Sequence, residues 1–445
     1  MIERIKAFFS GSLEKGEHKK FAFLAAIFGI TIGVYWLLRP IKDGLFLTMV
    51  GTEYVPLAKM LSVLIVVPIV MIYSKLVDMF PRHIVLYIVS LFYAALAVIF
   101  SLCILHPTVG IANTVADPSR LLGWAFYLYV ETFGTIMAAL FWAFVSDTTT
   151  PDSAKRGYGF IVMGAQTGAV LLPLTSKAII VAMGKGGTAY ALMFGVTILC
   201  LLPIMVYLYM RGIPRDLMEG FKAENKGPLE GGHKKAGFLE GLRLLVAKPY
   251  LLAIFGIVSF YEIINAVLDY QFKGFAKASY TGDALVVFLN DFAVLANFIG
   301  LVCILVGINR IGRILGFGKT LVILPLLIGA CVLIMGFYPF LHVAFITMAV
   351  QKSFNYSLNQ PVKEQLYIPT TKDTKYKAKA WIDMFGSRGS KASGSLINFI
   401  KIYAPSAFPL IFISSSLALC FIWFMISAFL GKTYEKAVEK NEVVC

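Results

Sequence analysis

Lys379-Ala-Trp-Ile-Asp383-Met-Phe-Gly386-Ser-Arg388-Gly-Ser390-Lys391-Ala-Ser-Gly394-Ser-Leu-Ile-Asn398-Phe-Ile400 is the run whose reading decides the fold. It lies between strongly apolar segments, which places it in a membrane, yet it carries Asp383, Arg388 and Lys391. As a helix it sets Gly386, Ser390 and Gly394 at i, i+4, i+8, a small-residue stripe suited to close helix packing. Arg388 and Lys391 fall at i, i+3 and share a surface. Each charge at bilayer depth costs roughly 2.5–3.5 kcal/mol on insertion scales, so it belongs against a watery cavity and not against lipid. Two cations in a cavity point to an anionic cargo. A second reading stays open, in which both sit at a helix end and reach the interface along their apolar stems.

The surrounding chain agrees with a membrane setting. Of 445 residues, 58% are hydrophobic and 15% charged, with mean hydropathy +0.78. Soluble domains are nearer 45–50% apolar and about 25% charged. The expected fold is an all-α polytopic membrane protein with about twelve transmembrane helices of ~20 residues each. The net charge of +15 comes from basic residues clustered in loops between apolar spans. That pattern orients a membrane protein and is no nucleic-acid footprint. Counting Lys and Arg loop by loop predicts both termini and the central linker on the cytoplasmic side. Six cysteines show no paired spacing and read as packing residues, with no metal site implied. Gly318-Lys319-Thr320 echoes the end of a phosphate-binding loop, but Arg313 stands where that loop needs glycine. No enzyme motif and no cofactor site is expected.

The chain also repeats itself. Thr149-Thr150-Pro151-Asp152-Ser153 after the fourth span is echoed 221 positions later by Thr370-Thr371-Lys372-Asp373-Thr374 after the tenth. Lys42 after the first span is echoed by Lys273 after the seventh. A polar stretch separates the halves, giving an N-terminal six-helix half (residues 1–210), a linker (211–249) and a C-terminal six-helix half (250–445). Two such halves in parallel orientation describe a major-facilitator-like 6+6 bundle, in which substrate sits near the midplane and rocking gives alternating access.

The charges inside the spans are the site candidates, because an ionisable residue at that depth is functional by default. Glu131 lies mid-span in the fourth helix, Lys177 in the fifth, Glu262 in the seventh, Asp291 in the eighth and Lys352 in the tenth. Arg388 and Lys391 lie in the eleventh, and Lys42 and Asp43 just beyond the first. Interhelical ion pairs that only hold the bundle are the competing reading, most evenly so for Asp291 and Lys352. Lys177, Asp291, Asp43 and Asp383 are candidates for coupling or gating. Asn265 and other amides add neutral hydrogen-bonding capacity. Tyr127, Tyr129, Phe133, Tyr261 and Trp381 offer rings on which a base can stack.

These residues resemble a known family. Phe141-Trp142-Ala143-Phe144 with Thr148-Thr149-Thr150-Pro151-Asp152-Ser153-Ala154-Lys155-Arg156 is similar to the bacterial and plastid ATP/ADP translocases (nucleotide transport proteins). So are Arg39-Pro40-Ile41-Lys42-Asp43, Tyr367-Ile368-Pro369, Lys375 to Asp383, and Ser387 to Gly394. The resemblance covers essentially the whole chain. It implies a twelve-helix transporter of ATP, ADP or other nucleotides in a bacterial inner membrane or plastid-type envelope; a monomer is expected, with neither nucleic acid nor cofactor. It implies two lysines and two glutamates of functional weight. The first lysine falls on Lys42 and the first glutamate on Glu131. The second glutamate falls on Glu262 or Asn265, and the second lysine on Lys379 or Lys391. ATP/ADP exchange by alternating access is the reading this supports. Lys42, Arg388 and Lys391, with Lys352 as a further candidate, would hold the phosphates. The alternative is proton-coupled import of other nucleotides or a related phosphorylated anion.

Overall fold

The computed structural model describes residues 13–14, 16–218, 238–306, 316–371, 378–379, 381–382, 386–440 and 442–444. Fourteen α-helices and no strands occur among them. They are α1 (Glu17–Met49), α2 (Val55–Met79), α3 (Arg82–Leu105), α4 (Leu121–Thr148), α5 (Pro151–Met183), α6 (Gly187–Gly212) and the short α7 (Phe238–Ala247). After these come α8 (Pro249–Ser279), α9 (Gly282–Val306), α10 (Phe317–Phe337), α11 (Leu341–Phe354), α12 (Gln360–Leu366), α13 (Ser387–Tyr403) and α14 (Phe408–Lys440). Among the described residues, ten helices are long and apolar enough to cross a membrane. The chain is a multi-pass membrane protein.

Two departures from the sequence reading matter for the site. Lys42 and Asp43 do not lie beyond the first span, because α1 runs unbroken through Pro40 to Met49. Hydropathy stops at these charges, but the backbone continues because both side chains find buried surroundings. The tenth span is not one regular helix either. It passes through a π-helical turn at Asn355–Asn359 before resuming as α12. Such turns insert one extra residue and re-aim side chains, often at functional sites.

The chain divides into two compact units. The first holds Met1–Tyr54, Leu64–Pro228 and Lys277–Leu301, and the second holds Val55–Val63, Leu229–Ala276 and Val302–Cys445. In the first unit α1 is the central element, packing on α5 and also on α4 and α6. Glycine makes the α1–α5 approach close: a Cβ on Gly168 would stand 2.0 Å from the Gly29 carbonyl oxygen, and one on Gly164 would stand 2.4 Å from that of Ala25. This is the small-xxx-small packing of membrane helices. Thr150 caps α5, accepting from the Ser153 N–H, with Pro151 at the first helical position. At the same end Glu17, 4% exposed, accepts from Ser153 Oγ at 2.5 Å and from Arg156 at 2.8 and 3.0 Å.

In the second unit α10 and α14 pack where Gly431 meets Gly318, with Phe317 stacked on Tyr434 at 3.8 Å. The small-residue stripe of α13 faces α8. A Cβ on Gly394 would stand 2.6 Å from the Ile263 carbonyl oxygen, and one on Gly386 would stand 2.8 Å from the Phe255 ring.

Candidate functional site

Each unit contains an acid and a base brought together from separate helices. In the first unit, α4 presents Tyr127 and Glu131 one turn apart on one face. Lys42 of α1 meets both. Its Nζ lies 2.5 Å from Glu131 Oε1, 3.5 Å from Asp43 Oδ1 and 4.4 Å from the centre of the Tyr127 ring. Lys42 is 5% exposed and Glu131 33% exposed. The cation is buried under its partners, while the carboxylate is one-third exposed.

The second unit places Glu262 of α8 opposite Ser387 and Lys391 of α13. Ser387 Oγ donates to Glu262 Oε1 at 3.1 Å, and Lys391 Nζ lies 3.7 Å from the same oxygen. Ser387 and Lys391 are one turn apart, so one face of α13 carries both. Lys391 is half-exposed and the pair is looser than Lys42–Glu131. Arg388 lies in the first turn of α13. Lys379 is placed elsewhere, on the carboxylate of Glu364 in α12. Asn265, one turn along α8 from Glu262, accepts from the Gln351 amide at 3.3 Å. Lys352, beside Gln351 on α11, is buried at 5% exposure. Asp383 lies outside the described residues.

Lys177 of α5 and Asp291 of α9 pair at 2.5 Å, both partly open to water, and Gln166 of α5 donates to the Asn297 carbonyl of α9 at 2.8 Å. A further cluster was not visible in sequence. Asp269 Oδ2 takes Lys273 at 2.9 Å and Lys59 at 3.0 Å. The echo between Lys42 and Lys273 pointed to one of its members, but Lys59 and Asp269 are 210 residues apart and share no local pattern. Of the rings that sequence offered for stacking, Tyr127, Tyr129, Phe133 and Tyr261 are buried and present no open face. Trp381 packs edge-on against Phe255.

A family model described as TLC ATP/ADP transporter matches residues 3–345 and 331–434. The chain is 26% identical to "ADP,ATP carrier protein 1" of Rickettsia prowazekii, covering 97% of this chain and 96% of the relative. It is 28% identical to the protein of that name from Chlamydia muridarum, over 82% of this chain and 78% of the relative. It is 26% identical to the chloroplastic carrier protein 1 of Arabidopsis thaliana, over 86% and 68%. Among solved structures, it is similar to a POT family transporter in complex with 5-aminolevulinic acid, with TM-score 0.62, 10% identity and coverage of 92% and 96%. It is also similar to the Major Facilitator Superfamily transporter FucP in the outward conformation, with TM-score 0.54, 17% identity and coverage of 92% and 98%. At these identities the solved structures establish the fold, which is of the major-facilitator type.

Proposed function

We propose, since this chain belongs to the TLC ATP/ADP transporter family, that it exchanges ATP for ADP across its membrane by alternating access. One observation carries the reading: a buried lysine, Lys42, is held by a carboxylate, Glu131, that is itself one-third exposed. In this proposal Lys42 and Lys391 take the nucleotide phosphates, with Arg388 and Lys352 adding positive charge. Glu131 and Glu262 hold the two lysines while no nucleotide is bound. The looser Lys391–Glu262 pair supports Lys391 over Lys379 as the second phosphate lysine.

The energetics favour an exchanger. Two unit charges 4 Å apart are worth about 4 kcal/mol at the effective dielectric of a protein surface. A polyphosphate replaces the carboxylates on the lysines at modest net cost, because one anion takes the place of another. Losing the nucleotide returns the lysines to Glu131 and Glu262, and in the proposal that empty state reorients slowly. The basic loops support an orientation with both termini cytoplasmic, and the membrane in this proposal is a bacterial inner membrane or a plastid-type envelope.

Thermal melting of the purified protein with candidate ligands tests the assignment. ATP and ADP should raise the melting temperature, adenosine should not, and Lys42→Gln should abolish the response. Stabilisation by a different phosphorylated anion and not by ATP or ADP would overturn ATP and ADP as the substrates and assign that anion instead.

A further inference from the structure

Beside the Lys42–Glu131 pair, the structure places an aromatic ring that sequence reasoning passed over. Tyr35 lies on α1 seven residues before Lys42, two helical turns or about 10.5 Å along the same face. It is neither buried nor fully exposed, unlike the four buried rings. Tyr35 and Tyr127 both lie within electrostatic reach of the Lys42 ammonium. The ring rests against Gly134 of α4, three residues on from Glu131. A Cβ at Gly134 would stand 2.5 Å from Cε2 of Tyr35, so the ring occupies its place only because position 134 has no side chain. Trp36, the next residue, stands edge-on to it at 6.2 Å and in turn lies under the Arg39 guanidinium at 4.9 Å.

We infer that Tyr35 is the stacking platform for the nucleobase of the nucleotide whose phosphates engage Lys42. This rests on the nucleotide reading proposed above and extends it to the other end of the substrate. The separation fits, because two helical turns are comparable to the reach from a nucleotide's outer phosphates to its base. Stacking also needs no matched hydrogen bonds, and every base has a π-face. Tyr35 therefore positions the base without selecting it, and purine nucleotides should depend on it alike. Gly134 is part of the same device, since its missing side chain sets where the ring lies.

The test separates the two ends of the ligand. Labelled ATP binding is measured on the purified full-length chain, with displacement by unlabelled ATP, GTP and tripolyphosphate, which has phosphates and no base. In Tyr35→Leu the affinities for ATP and GTP should fall about tenfold, while displacement of the remaining bound label by tripolyphosphate should keep its wild-type constant. Tyr35→Phe keeps the ring and should restore ATP binding. Gly134→Ala leaves Tyr35 and Lys42 in the chain but pushes the ring aside, and should reproduce the split even if Tyr35→Leu fails to fold. Equal losses for ATP and tripolyphosphate would show that Tyr35 acts through Lys42 and would overturn the inference. Unchanged ATP binding in both Tyr35→Leu and Gly134→Ala would overturn it too, with the nucleotide site intact. A wild-type protein that binds neither ATP nor tripolyphosphate would overturn the nucleotide reading itself and this inference with it.

Discussion

Replacing Glu131 with Gln removes the nearest countercharge of Lys42 and leaves the ammonium 3.5 Å from Asp43. Removing one member of a buried pair costs about 3–5 kcal/mol, mostly because a buried charge is left uncompensated. Here the discount is substantial, since Asp43 remains and Glu131 is 33% exposed. The expected loss of stability is about 2 kcal/mol. Lys42→Met should cost a similar amount by removing the cation that both carboxylates face. The double variant should lie within about 1 kcal/mol of wild type, because replacing a buried pair by neutral groups is close to neutral. The coupling read from the four proteins is then about 4 kcal/mol, two losses of about 2 kcal/mol against a double variant near wild type, measurable by denaturant-driven unfolding in mixed micelles. Nucleotide binding should move the other way. Glu131→Gln no longer competes for Lys42, so ATP should bind about tenfold more tightly, a gain of about 1.4 kcal/mol, while turnover slows. Additive losses, with coupling below about 0.5 kcal/mol, would refute the pairing. Weaker ATP binding in Glu131→Gln would refute the competition.

Lys391→Gln should change stability by less than about 1 kcal/mol, because the pair is half-exposed and 3.7 Å long, yet nucleotide exchange should be lost; flux and melting measured on the same preparation check this. Gly168→Val forces a side chain into a gap where a Cβ alone meets the Gly29 carbonyl oxygen at 2.0 Å. Overpacking of at least 1–3 kcal/mol is expected, seen as loss of folded protein on size exclusion. Glu17→Ala strips the acceptor from Ser153 and Arg156 at the start of α5 and should cost about 2 kcal/mol, with ATP affinity of the folded fraction unchanged.

The fold was legible because membrane spans are read from composition, and Lys391 and Gly394 stood out because a polar, glycine-rich run among apolar spans has few explanations. Lys42 and Glu131 were singled out separately through family resemblance, and nothing local links residues 89 apart. Hydropathy ended α1 too early: Arg39, Pro40, Lys42 and Asp43 look like a helix end, and tertiary partners carried the helix past them. Sequence alone left Lys379 and Lys391 side by side as cations of the same polar run, and it does not show that Lys379 meets Glu364 while Lys391 meets Glu262. Tyr35 was invisible for a related reason. Its value lies in the empty space at Gly134, and sequence does not show what a missing side chain makes room for.

The most direct measurement is uptake of labelled ATP into proteoliposomes, preloaded with ADP or left empty. Rapid uptake into ADP-loaded vesicles alone, abolished by Lys42→Gln, is the expected result. Equal uptake into empty vesicles, driven by an imposed proton gradient and independent of internal ADP, would contradict exchange.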